Sequence, residues 1–158
     1  MADRSEKALI DDFLAQKRIA IVGVSRDKDE LANALFRSLR DQGHEVVPVN
    51  PNAAELEGQP AYPNVKAIPG GADAALIMVS PSATEQAVRD CADAGVKRVW
   101  VYGIMGESSL PAEKQAAVAF CREHGIDVIP GRCPYMFIGS FMHKAHGWFL
   151  KIVDKYPK

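Results

Sequence analysis

Four apolar residues, Ile19-Ala20-Ile21-Val22, run without a polar break into Gly23. A short apolar run closed by glycine reads as a strand buried on both faces. A helical pattern follows over about 31–42, where Leu31, Leu35 and Leu39 recur every fourth residue, Phe36 joins them and Gly43 stops the run. Strand, tight turn and helix in that order aim the helix N-terminus at the space above the turn. Its free N–H groups and partial positive charge favour a phosphate there.

The same unit returns along the chain. Residues 44–49 form a second strand that leaves through Asn50-Pro51. Pro48 cannot donate to a ladder, so this end of the strand is expected to be irregular or to lie on an unpaired side. Residues 51–70 hold Pro51, Pro60, Pro63 and Pro69 with Gly58 and Gly70, which reads as a long connection holding a turn and a weak helix near 64–68. Residues 74–79 are the third strand, and Ser80-Pro81-Ser82 starts a helix that runs to about Ala94. The fourth strand, 99–102, ends at Gly103; a helix over 111–124 follows, opened by Pro111; the fifth strand, 126–129, stops at Pro130-Gly131. A helix over 5–15 is expected to cover part of the sheet. The tail, 135–156, is expected to form an amphipathic helix, with Ile138, Phe141, Met142, Ala145, Phe149 and Ile152 at helical spacing, packing on the body or on a second subunit.

Strands alternating with helices predict an α/β fold: a Rossmann-like three-layer sandwich around a five-stranded parallel sheet, with N- and C-terminal helices added. The route between the third and fourth strands is read as the long crossover. That gives the order 3-2-1-4-5, with a switch point between strands 1 and 4. One domain over 1–158 is expected, its core at about 17–133.

Bulk properties exclude several function classes. The 158 residues are 47% apolar and 25% charged with a net charge of −1, so no basic face for nucleic acid or an anionic membrane is expected. No apolar run reaches the roughly 18 residues of a membrane span, and the charged N-terminus lacks a signal-peptide core. Three widely spaced cysteines, Cys91, Cys121 and Cys133, do not make a disulfide framework, and a reducing cytoplasm is the expected compartment.

Ligands in such sheets bind at the carboxyl ends of strands near the switch point. The loops to watch are therefore Gly23–Arg26, Asn50–Asn52, Ser80–Ser82 and Tyr102–Gly106. A dinucleotide fingerprint would place a glycine where Ser25 stands, another where Lys28 stands, and an acid at the end of the second strand where Asn50 stands. Nicotinamide dinucleotides are disfavoured on that ground. Ser25 and Arg26 add a hydroxyl and a fixed cation beside the expected phosphate. Asn50-Pro51 can end the strand as an Asx turn and also line the crevice. Ser80-Pro81 can cap the helix and also form a pocket wall. His143 and His146 lie three apart without an obvious third ligand, so no metal is assigned. Cys133 follows the last strand and lies near the expected crevice. No catalytic set is recognised.

These residues resemble those of the stand-alone CoA-binding domain proteins, whose fold also forms the N-terminal half of the succinyl-CoA synthetase alpha subunit. The resemblance runs from about Ile19 to Cys133. It is carried by Ile21-Val22-Gly23-Val24-Ser25-Arg26, by Gly43 to Pro51 with its V-x-P-V-N-P piece, by Glu57-Gly58, Tyr62-Pro63 and Ser80-Pro81, and by Gly131-Arg132-Cys133. It implies that Gly23, Val24, Ser25 and Arg26 contact a CoA diphosphate. Asn50, Pro51, Val79, Ser80 and Pro81 would flank the adenosine and the start of the pantetheine arm, with Tyr102 and Gly103 near the outgoing arm. Members often carry a lysine and a glycine where Glu30 and Ala32 stand; a glutamate in place of that cation would weaken CoA affinity or shift the phosphate contacts to Arg26 and Lys28. Coenzyme A or an acyl-CoA is thus the expected ligand, bound without a reaction of the chain's own. An NAD(P)-dependent enzyme and an interaction module with a vestigial pocket, docking or dimerising through the tail, are the alternatives.

Overall fold

The computed structural model describes residues 4–138. The tail beyond 138, with His143 and His146 and most of the expected tail helix, lies outside the described residues; residues 135–138 are helical. The main sheet contains β1 (Arg18–Val22), β2 (Glu45–Val49), β5 (Ala74–Ile77), β6 (Arg98–Tyr102) and β7 (Asp127–Arg132). All neighbouring pairs are parallel. A two-stranded hairpin, β3 (Glu55–Leu56) with β4 (Gln59–Pro60), interrupts the connection after β2. The helices are α1 (Glu6–Leu14), α2 (Leu31–Asp41), α3 (Pro81–Asp93) and α4 (Ala112–Glu123).

Alternating strand residues feed two cores, which makes the fold three-layered. Ala20, Val22, Ala75, Ile77, Val99 and Val101 pack with Val88 and Cys91 of α3 and Val118 and Cys121 of α4. The residues between them, Ile19, Ile21, Leu76 and Trp100, pack with Phe13 of α1 and with Leu35, Phe36 and Leu39 of α2. Trp100 is fully buried. Its ring meets Phe13 edge-on at 5.3 Å between centroids, and its Nε1 donates to the Arg132 carbonyl at 2.9 Å. Burial pushes the Cys91 and Cys121 thiols up, that of Cys121 to about 12, which fits inert core cysteines.

The strand order corrects the expected 3-2-1-4-5. The observed order is β2-β1-β5-β6-β7, or 2-1-3-4-5 in terms of the five main strands. β5 pairs directly with β1, with Ala20 opposite Ala75 and Ile21 opposite Leu76. The crossover that passes β1 is the 50–73 connection, whereas the β5-to-β6 route is the single helix α3. The switch point therefore lies between β1 and β5.

Pro48 meets its expectation. β2 is an edge strand, and the Pro48 carbonyl accepts from Tyr62 N–H at 3.1 Å on the outer side. A strand residue's N and carbonyl point to the same side, so the missing donor faces outward and costs no bond to β1. Among the described residues, no helix is long and apolar enough to cross a membrane.

Candidate functional site

A cavity of about 460 Å³ opens at the carboxyl ends of β1, β2 and β5, beside the switch point. Val22 and Gly23 line it from β1, Val49, Asn50 and Pro51 from β2, Pro63 and Val65 from the crossover, and Val79, Ala83 and Ala87 from the start of α3. Its walls are mostly aliphatic, and Asp90 is the one ionisable residue among those lining it.

Gly23 makes the junction possible. Its φ is +114°, and an added Cβ would stand 2.5 Å from the Met78 carbonyl oxygen. The turn after β1 and the exit of β5 can approach this closely only without a side chain. Asn50 then ties β2 to the same turn: its Nδ2 donates to the Val24 carbonyl at 2.9 Å, while its Oδ1 accepts from Asn52 N–H at 2.7 Å. The Asx turn and the pocket wall are thus one feature.

The following loop is held by a residue the sequence reading did not single out. Asn33, buried in the first turn of α2, accepts from Ser25 N–H at 2.8 Å and donates to the Ser25 carbonyl at 2.7 Å. The same Nδ2 donates to Glu57 at 2.9 Å, and Arg37 donates to the same Glu57 oxygen at 2.9 Å. The hairpin, the loop and α2 are therefore joined through one amide. Burial pushes the Glu57 carboxyl up, but the hydrogen bonds from Asn33 and Arg37 and the charges of Arg37 and Arg40 outweigh it and hold it below its ordinary value. The signal for Asn33 was a polar residue inside the apolar stripe Leu31 to Leu39; nothing local tied it to Glu57.

A carboxyl held low in the folded state contributes stability that is present above its unfolded pKa and is lost as pH falls through its folded pKa. Glu57→Gln is therefore expected to lower the urea midpoint at neutral pH. The gap to the wild type should close as the pH drops below about 4. A gap that stays constant with pH would show that the ionised form of Glu57 contributes nothing.

Of the residues expected at the site, Gly23, Asn50, Pro51 and Val79 line the cavity. Val24, Ser25, Arg26 and Lys28 form the loop leading from it to α2. Arg26 is exposed, and its guanidinium donates to the Asn52 carbonyl across the mouth. The Lys28 carbonyl accepts from Arg37 at 3.0 Å. Ser80 is the N-cap of α3 and Pro81 its first residue. The Ser80 carbonyl accepts from Thr84 Oγ1 at 2.9 Å, while the Ser80 hydroxyl makes no capping bond and stands 3.2 Å from Ser82 Oγ; neither Ser80 nor Pro81 lines the cavity. Tyr102 and Gly103 do not line the cavity, because β6 lies beyond β5 from β1. A Cβ on Gly103 would stand 2.6 Å from Gly131 Cα, which makes it a packing position. Glu30 is the N-cap of α2 and makes no side-chain capping bond. Among the described residues there is no cluster of three or more His, Cys, Asp or Glu placed to hold a metal.

Comparison with known proteins gives the chain a family and structural neighbours. The CoA binding domain family matches residues 17–138. The alpha subunit of the ADP-forming acetate–CoA ligase II of Pyrococcus furiosus is 34% identical over 130 residues, which cover 79% of this chain and 28% of the relative. The chain thus spans less than a third of the length of that curated relative. A solved conserved hypothetical protein of Pyrococcus furiosus is 31% identical with a TM-score of 0.64, over 74% of this chain and 95% of the other. A hypothetical protein from Pyrococcus horikoshii is 26% identical with a TM-score of 0.71, over 84% and 93% of the two chains.

Proposed function

The chain belongs to the CoA binding domain family, and we propose that it binds coenzyme A or an acyl-CoA at the β1–β5 switch point without a reaction of its own. The observation that carries this reading is the cavity itself: aliphatic walls at the carboxyl ends of β1, β2 and β5, of a size suited to an adenosine group. The diphosphate then lies over the Val24–Arg26 loop and the N-terminus of α2.

The loop's bonding refines how phosphate would be held. Gly23 N–H is taken by the Val49 carbonyl and Ser25 N–H by Asn33. Val24 is fully buried, whereas Arg26 is exposed and its amide has no acceptor among the described residues, so the Arg26 N–H is left for an anion. Arg26 supplies the cation; its bond to the Asn52 carbonyl is exposed and costs about 1 kcal/mol to exchange. Glu30 has no cap bond to keep it over the helix N-terminus. With Asp90 the one ionisable group lining the cavity, binding is better supported than catalysis. The amide of Asn50 is committed to Val24 and Asn52, so no acid waits at the end of β2 for a nicotinamide dinucleotide's ribose.

Calorimetric titration with CoA tests the reading. Saturable binding is expected, and Arg26→Glu is expected to weaken it at least about tenfold by turning a phosphate-facing cation into an anion. No heat and no thermal shift at millimolar CoA would overturn the proposal.

A further inference from the structure

We propose that Gln86 and Asp90 select the base of the bound nucleotide, preferring a purine that carries an exocyclic amino group; this rests on the cavity being the adenosine site. Ala83, Gln86, Ala87 and Asp90 follow three- and four-residue spacing along α3 and so share one helix face, about 10 Å long. All of them line the cavity, together with Pro63 and Val65 from the turn that packs against α3. Small and flat apolar groups suit a flat heterocycle. The polar groups on this face decide which heterocycle.

Gln86 Nε2 donates to Asp90 Oδ1 at 2.9 Å, and Lys66 Nζ stands 3.4 Å from the same oxygen. The carboxylate fixes which way the Gln86 amide points, because it can only accept. Two groups are left over. Asp90 Oδ2 has no partner among the described residues, and Gln86 Nε2 keeps a second hydrogen. The buried Asp90 therefore offers an acceptor beside a spare donor from Gln86. Adenine presents the complement, an amino donor beside a ring-nitrogen acceptor. Hypoxanthine presents the reverse, a carbonyl beside a ring N–H. It would set oxygen against carboxylate and hydrogen against hydrogen, leaving the Asp90 oxygen unpaired in its buried setting, while the exposed Gln86 adds only direction. Lys66 offsets the Asp90 charge from outside, so the carboxylate can remain in an apolar wall.

The test titrates the full chain with adenosine 3′,5′-bisphosphate and with inosine 3′,5′-bisphosphate. The inosine compound is expected to bind at least about tenfold more weakly. In Asp90→Asn, whose amide can turn a donor toward a carbonyl, the ratio is expected to fall to about threefold or less. The N6,N6-dimethyladenosine compound, which needs no variant, is expected to bind the wild type as weakly as the inosine compound. Equal wild-type affinity for all three overturns base selection and leaves the adenosine site standing. An Asp90→Asn ratio unchanged from the wild type, in a variant that unfolds cooperatively, overturns the role of Asp90. Failure of the adenosine compound to bind overturns both this inference and the cavity reading beneath it.

Discussion

Replacing Gly23 by alanine is expected to remove about 3 kcal/mol of folding stability and to abolish ligand binding. Two costs coincide at this residue. Its φ of +114° is one that L side chains rarely adopt, and the added Cβ would stand 2.5 Å from the Met78 oxygen and 2.8 Å from the Met78 carbonyl carbon. Both obstacles are backbone, so no rotamer change relieves them. The Met78 segment cannot simply retreat, because Met78 N–H donates to the Val22 carbonyl at 2.8 Å and continues the β1–β5 ladder. Retreat would also open the cavity between Gly23 and Val79. Urea unfolding followed by circular dichroism measures the loss. A cost below about 1 kcal/mol would show that the two strand exits can separate cheaply, and the close approach would then not be what shapes the pocket.

What was legible in the chain follows from how far apart the cooperating residues lie. The five main strands and the four helices could be read because each is written in contiguous periodicity. Gly23, Asn50 and Pro51 could be read because a strand exit needs a turn, and turn chemistry is local. Pro48 narrowed its strand to an irregular end or an unpaired side, and the edge position is the second of these. The strand order was misread because local pattern does not say where a long connection lands. The 50–73 segment looks like an irregular loop, yet it carries the chain past β1. Tyr102 and Gly103, which the resemblance puts near the outgoing pantetheine arm, do not line the cavity, since β6 lies beyond β5 from β1. Gln86 and Asp90 were hidden for another reason. Polar residues on an amphipathic helix read as its solvated face; Gln86 is exposed, and the packing of the 63–67 turn against α3 is what makes this face a cavity wall beside the buried Asp90.

Asn33 is the sharpest case of a residue with no local signature and a large expected effect. Its side chain bonds Ser25 N–H, the Ser25 carbonyl and Glu57, all from within the first turn of α2. In Asn33→Ala the Ser25 groups lose their partners in a half-buried loop, at an expected cost of about 2–3 kcal/mol. Asn33 does not line the cavity, so any loss of CoA affinity in this variant reports loop order rather than contact. About tenfold is expected, from releasing the loop that carries Arg26. Asn33→Asp separates this role from simple packing. An aspartate still accepts from Ser25 N–H, but it sets a second carboxylate where Asn33 now donates to Glu57. Two like charges at that distance disfavour joint ionisation. The Asn33→Asp deficit should therefore be largest at neutral pH and shrink as the pH falls toward about 4 and one of the pair takes up a proton. The Asn33→Ala deficit, which involves no new charge, should lack that recovery. Identical pH profiles for the two variants would mean that the Asn33 amide does not join the loop to the hairpin. Arg37 alone would then hold Glu57, and the site would be ordered by the strand exits rather than by the first turn of the helix.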